Sequence, residues 1–192
     1  MIARIVAFAA APYTLLVGLV LAERLVEVLI ARRNLVAARA RGGFVAESRS
    51  LWPIAVFQAV WLLACPSEVF LLERPWISSV GFPALALVGV AMALRYWAVA
   101  TLGDRWNIHT VVVPGAPLAT GGPYRFVRHP NYLALVVETV MLPLVHSAWL
   151  TACASSLVFP FLLARRIRIE EDTLARHTDY ARVFAGRGRL LP

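Results

Sequence analysis

The hydrophobic positions of this chain do not alternate with polar ones; they run together. Five stretches are almost wholly apolar: about Ile5 to Ile30, Leu51 to Leu72, Ile77 to Leu102, Pro130 to Val145 and Ala148 to Leu163. A bilayer core about 30 Å thick takes about 20 apolar helical residues, because backbone polar groups in lipid are satisfied within their own segment. The pattern predicts an all-α integral membrane bundle of five transmembrane helices in a single domain, residues 1–192, with no repeat and no linker. The fourth and fifth stretches, joined at "PLVHSAW", are expected to form a helical hairpin. A cleaved leader is the alternative for the first, since "AAAPY" resembles a cleavage site. The apolar pattern continues through Leu15 to Leu21, however, which favours an uncleaved span.

Composition agrees with lipid as the solvent: 60% of residues are hydrophobic and 16% charged. The net charge of +8 comes from 19 arginines and no lysine. These flank the apolar runs instead of forming a stripe, so no nucleic-acid partner is expected. Fifteen fall in the segment after the first span, between the third and fourth, and in the tail from Arg165, against Arg4 and Arg74 on the other side. The positive-inside rule then places the N-terminus outside and the C-terminus in the cytoplasm. Cys65 and Cys153 both lie in apolar runs and are expected to be small core residues.

Polar chemistry gathers at "GPYRFVRHPNY", residues 122–132. Pro130 suits the first turn of the fourth helix and pushes His129 into an extended conformation. The first turn is expected to present free N–H groups at Asn131, Tyr132 and Leu133, a place for an anion at the positive end of the helix dipole. The "TGGP" turn brings a second backbone segment to the same helix end. Beyond the fifth span, "ARRIRIEEDTL" is expected to continue as helix, with Arg166 and Glu170 four apart on one face. Headgroup anchoring and a solvated, salt-bridged helix are the alternative explanations of these two segments.

Ionisable groups also occur within the spans, where a charge costs at least about 2.5 kcal/mol and faces protein or water. Arg24 and Glu27, three apart, are expected to pair with each other, with Glu23 beside them. Arg95 lies in the third span. Glu138 lies about 12 Å into the fourth helix, and its role is open between ion pairing and chemistry. Four histidines, His109, His129, His146 and His177, show no metal-binding spacing, so no metal site is expected. Walker, GxSxG and strand-linked GxGxxG motifs do not occur.

With these residues the chain resembles the isoprenylcysteine carboxyl methyltransferase family of integral membrane enzymes. The shared pattern is "GPYRFVRHPNY", then Arg166 and Glu170, then Leu174 and Tyr180. It resembles still more closely a short bacterial branch associated with polyketide synthases that make long-chain alkylpyrones and alkylresorcinols, through "ERLVEVLIARRN" at 23–34 and "RWNIHTVVVPGAPLATGGPY" at 105–124. The resemblance implies transfer of a methyl group from S-adenosylmethionine, leaving S-adenosylhomocysteine. The acceptor is a lipophilic small molecule or prenylated group at the cytoplasmic face of a lipid bilayer, a bacterial inner membrane. It implies cofactor binding by His109, by Ala116, Pro117, Leu118 and Ala119, by Tyr124, by His129, Pro130, Asn131 and Tyr132, and by Glu170. Arg166 matches a substrate-binding position. Ala116 and Pro117 replace a His-Thr pair of the eukaryotic protein-modifying members, which leaves backbone contacts there.

The expected catalytic residues are Arg166, Glu170 and His129. Arg166 orients a carboxylate acceptor, whereas a phenol or enol acceptor also needs a base, His129 or Glu170. Arg166→Ala and Glu170→Ala are expected to abolish transfer in a folded protein. The rival from another class is a non-catalytic scaffold or small transporter whose arginine-rich face binds anionic lipid. A thiol or amine acceptor on the same fold is a third reading.

Overall fold

A computed structural model describes residues 2–192, with side chains described from Ala11 onward. Arg4 therefore lies outside the described side chains, as does the beginning of the first expected span. The chain is mostly helical: α1 (Ile2–Ala40), α2 (Leu51–Leu71), α3 (Ser78–Leu102), α4 (Pro130–Leu144), α5 (Trp149–His177) and the single turn α6 (Tyr180–Val183). Among the described residues, α2, α3 and α5 are long and apolar enough to cross a bilayer. The 15 residues of α4 reach only about 22 Å at the usual rise. Exposed apolar side chains such as Leu63 and Leu71 of α2, Val90 of α3, and Leu157 and Phe161 of α5 form the outward face expected of helices solvated by lipid.

The arginine-rich segment after the first span is not a loop. α1 continues through it to Ala40, because Asn34 is buried there and its amide donates to the carbonyls of Gly103 (3.2 Å) and Trp106 (2.8 Å). Asn107 returns a bond to the Ala31 carbonyl at 2.9 Å. Two short strands follow different helices, β1 (Phe44–Glu47) and β2 (Thr110–Val112), and pair antiparallel with a bulge between Val45 and Glu47. The bulge re-aims Glu47, which pairs opposite Thr110.

α4 lies against α3 and turns back on α5 through residues 145–148, forming the expected hairpin. Cys65 is buried as expected, but Cys153 is exposed, on a face of α5 that no other element covers. Within the apolar layer, Arg24 meets Glu138 at 2.5 Å and Glu27 at 3.1 Å, and Arg95 meets Glu27 at 2.5 Å. The pairing expected of Arg24 and Glu27 is present, and Glu138 belongs to the same cluster.

Candidate functional site

The ends of four helices, α1, α3, α4 and α5, meet at one end of the bundle around a cavity of about 520 Å³, within the usual range for a small-molecule site. The geometry starts from glycine. Gly103, at φ 56°, ends α3, and Gly122, at φ 53°, lies so close to Thr101 that a side chain there would strike it. The "TGGP" turn is thus seated on α3, and it carries Tyr124 onto Ala98 beside Tyr180 and Phe184. His129, at φ −129° and ψ 62°, precedes Pro130 and leaves helical geometry, but its ψ falls short of the extended conformation expected there.

Of the residues singled out by sequence, His109, Ala116, Pro117, Leu118, Ala119, Tyr124, His129, Asn131, Tyr132 and Glu170 all line the cavity. Pro130 and Arg166 do not. Pro130 is buried at the start of α4. Arg166, 2% exposed, lies one layer behind. Its guanidinium is spent on Glu47 (2.6 Å), Ser50 (2.5 Å), the Tyr132 hydroxyl (3.2 Å), Thr110 (3.2 Å) and the Ile108 carbonyl (3.3 Å). Burial opposes ionisation of Glu47, but the Ser50 hydroxyl and N–H and the charge of Arg166 outweigh it and hold its carboxyl below the usual carboxylate range.

The expectation of free N–H groups at the start of α4 fails at two of three positions. Tyr132 and Leu133 both donate to the His129 carbonyl, at 3.0 and 3.1 Å, because the first turn closes tightly on that oxygen. The unpaired polar atoms lie elsewhere: His109 Nδ1 and Asn131 Oδ1 are buried without a partner, and both residues line the cavity. Burial, then the charge of Arg166, depresses the His109 pKa, so its ring is neutral. Tyr132 donates to Glu170 at 2.5 Å, and Arg166 Nε is 3.5 Å from the same carboxylate oxygen. Burial, followed by the Glu170 charge, raises the Tyr124 pKa, so its hydroxyl keeps its proton.

Several members of this site carry no signal in the sequence. Glu47 and Ser50 reach Arg166 from 119 and 116 residues away. Trp106 and Asn107 were quoted only as part of a longer string, yet both line the cavity. Glu171 is buried behind His129, 3.2 Å from its ring. Its adjacency to Glu170 was the one available sign.

This polar pocket at the end of an apolar bundle has counterparts. The sequence model of the isoprenylcysteine carboxyl methyltransferase (ICMT) family matches residues 84–176, which include α4 and most of the cavity wall. An uncharacterized protein of Bacillus subtilis, YpbQ, is 31% identical over 167 residues, 86% of this chain and 98% of its own length. An uncharacterized protein of Haemophilus influenzae is 28% identical over 92 residues, 47% of this chain and 54% of the relative. A match that nearly spans YpbQ, together with one centred on the segment that builds the cavity, assigns the chain to the isoprenylcysteine carboxyl methyltransferase family, a family of membrane methyltransferases.

Proposed function

We infer that this protein transfers a methyl group from S-adenosylmethionine to a hydroxyl oxygen of a lipophilic acceptor at the cytoplasmic face of a membrane. The carrying observation is the chemistry of the cavity wall: two carboxylates, three tyrosines and two residues with unpaired buried polar atoms surround a space of suitable size. These residues fit the cofactor. Glu170 suits an ammonium or ribose hydroxyls, Tyr124 and Tyr132 suit an adenine or a sulfonium, and Asn131 suits the ammonium of the amino-acid end. When bound, S-adenosylmethionine supplies an electrophilic methyl carbon, whose bond to sulfur breaks as the bond to the acceptor oxygen forms, the electron pair remaining on sulfur.

The wall favours a neutral hydroxyl over a carboxylate as acceptor. A carboxylate needs a cation, and every arginine of the lining is already engaged among the described residues. Arg41 pairs with Asp104, Arg105 donates to the carbonyls of Leu102 and Pro117, and Arg128 donates to the Arg187 carbonyl and Glu171. Arg166, facing its own six partners, holds the β1–β2 ribbon to α5. The unpaired atoms, His109 Nδ1 and Asn131 Oδ1, include acceptors suited to an incoming O–H. Positioning of oxygen and methyl carbon in line then does most of the catalysis.

In this reading α1 and α4 join α2, α3 and α5 as five spans, with the N-terminus outside. α4 is completed by the turn at 145–148, and α1 is admitted to lipid by the pairing of its charges. The arginines at the cavity end place that end in the cytoplasm of a bacterial inner membrane. Calorimetry on the purified protein with S-adenosylhomocysteine tests the assignment. Saturable binding is expected, and Glu170→Gln should abolish it while the melting temperature in detergent changes little. Absence of binding to the wild-type protein would remove the enzyme reading in favour of a lipid-binding scaffold.

A further inference from the structure

Glu170 and Glu171 are neighbours with separate duties. Glu170 lines the cavity, whereas Glu171 is turned about 100° round the helix and is buried at 7% exposure. Around its carboxylate stand Arg189 at 2.8 Å, His129 Nε2 at 3.2 Å, and Arg128 and the Tyr180 hydroxyl at 3.5 Å. Arg189 belongs to the C-terminal segment, which is strapped across the "RHP" sequence. The N–H groups of Arg128 and His129 donate to the carbonyls of Gly188 and Arg189, each at 2.9 Å, and Arg187 returns a bond to the Tyr124 carbonyl at 2.7 Å. This strap lies beyond residue 176, where the family match ends.

We propose that Glu171, anchored by Arg189 of the strap, is a positioning residue that fixes the tautomer of the His129 ring with a proton on Nε2, leaving Nδ1 as the acceptor for the substrate's hydroxyl proton. The tautomer follows from the contact. A carboxylate held between two guanidinium groups, 3.2 Å from Nε2, is met by an N–H; an unprotonated Nε2 would set a lone pair against a negative oxygen. The Tyr180 hydroxyl, 3.3 Å from Nε2, then donates to Glu171 and not to the ring. Burial, then Glu171 and Glu170, raises the Tyr180 pKa, so that donor persists. Tyr132 stacks on the ring with centroids 5.3 Å apart and fixes its plane.

The tautomer stands on this geometry alone, whereas the use of Nδ1 rests on the methyl-transfer reading. In that reading the acceptor oxygen bonds to the methyl carbon, its proton passes to Nδ1, and the imidazolium so formed is balanced by the Glu171 carboxylate until the proton leaves to water.

Ring-nitrogen NMR of the full-length, histidine-labelled protein in detergent tests the proposal, with His129 assigned through His129→Gln. At a pH where the ring is neutral, the wild type should show one tautomer, protonated at Nε2. Glu171→Gln should mix the two, because an amide both donates and accepts. It should also lower kcat about 100-fold, the lower range of what a general base is worth, with affinity for S-adenosylhomocysteine retained. Should Glu171→Gln fail to fold, Arg189→Ala, at a half-exposed side chain, should shift the tautomer in the same direction with a smaller loss of kcat. Wild-type protein protonated at Nδ1, or an unmoved tautomer in both variants, overturns the proposal. A wild type that binds no S-adenosylhomocysteine overturns the role of Nδ1 along with the enzyme reading, and the tautomer result then judges Glu171 by itself.

Discussion

Two groups of buried charges occupy this bundle, and they differ in what they leave unspent. In the apolar layer, Arg24 and Arg95 are shared among Glu23, Glu27 and Glu138, and none of these five side chains reaches the cavity. At the cavity end the donors of Arg166 are all taken, whereas Arg24 Nε and Arg95 Nη1 are left unpaired inside the deep cluster; what distinguishes the cavity end is that Glu170 and the unpaired atoms of His109 and Asn131 belong to residues that line open space. Charge turned inward on itself fixes helix packing. Charge and dipoles turned toward a cavity are what a ligand meets. The comparison separates residues that hold the molecule from residues that face a ligand, and Arg166 stands between them, buried behind the wall yet in contact with its Tyr132 and Glu170.

The sharpest way to break this division is Glu138→Ala. Glu138 is 1% exposed and is the partner of Arg24 from α4. Its removal takes from Arg24 its shortest ion pair and leaves Glu23 and Glu27 to share two guanidinium groups; it should cost up to about 3–5 kcal/mol, seen as a large fall in melting temperature or as failure to accumulate folded protein. Folded Glu138→Ala with ordinary stability but no turnover would instead make the deep cluster part of the chemistry.

Arg166→Ala should come next, and its expected outcome changes with the structure. Read from sequence, it abolishes activity in a stable protein. With Arg166 buried against Glu47, the variant leaves that carboxylate only its Ser50 hydroxyl and N–H donors and should lose up to about 3–5 kcal/mol. The sign of its pH dependence follows from Glu47, whose folded-state pKa lies below the unfolded value of about 4.3. The stabilisation is therefore complete above that value and is lost as pH falls through the lower, folded-state pKa. In Arg166→Ala that acid limb should shrink, and thermal melts between pH 3 and 7, a range set about the carboxylate value, measure it. A double variant, Glu47→Gln with Arg166→Met, should recover much of the loss. Full stability of Arg166→Ala alone would return Arg166 to the substrate.

How much of this was legible follows from how local each signal is. Apolar runs mark helices because a span is decided by its own residues, so α2, α3 and α5 stood out, and Pro130 announced its helix start by local sterics. The extension of α1 to Ala40 was hidden, because its arginines look like a loop and the reason for its order, Asn34 on the Gly103 and Trp106 carbonyls, is tertiary. β1 and β2 are short strands more than 60 residues apart, with no turn between them to signal pairing. Nothing local ties Glu47 to Arg166. The convergence of His129 with Glu170 was a guess from two helix ends on one predicted face, and the cavity lining contains both.

The smallest expected effect lies at the mouth of the cavity. Arg41 and Asp104 form an ion pair of 2.7 Å between the end of α1 and the turn after α3, with side chains 44% and 57% exposed. Solvent screens such a pair, and its worth in stability is about 0–1 kcal/mol. Arg41→Ala should therefore leave the melting temperature almost unchanged, unlike either buried cluster. Its consequence should appear in binding instead: both residues line the cavity, and freeing Asp104 adds an uncompensated negative charge at the rim. Affinity for cationic S-adenosylmethionine should hold or rise slightly relative to S-adenosylhomocysteine, and salt should erase the difference because the pair is exposed. Titrating both ligands into the variant at low and high ionic strength measures this. An equal change for the two ligands would mean that the pair shapes the opening mechanically, and the rim would then join the deep cluster as a structural contact.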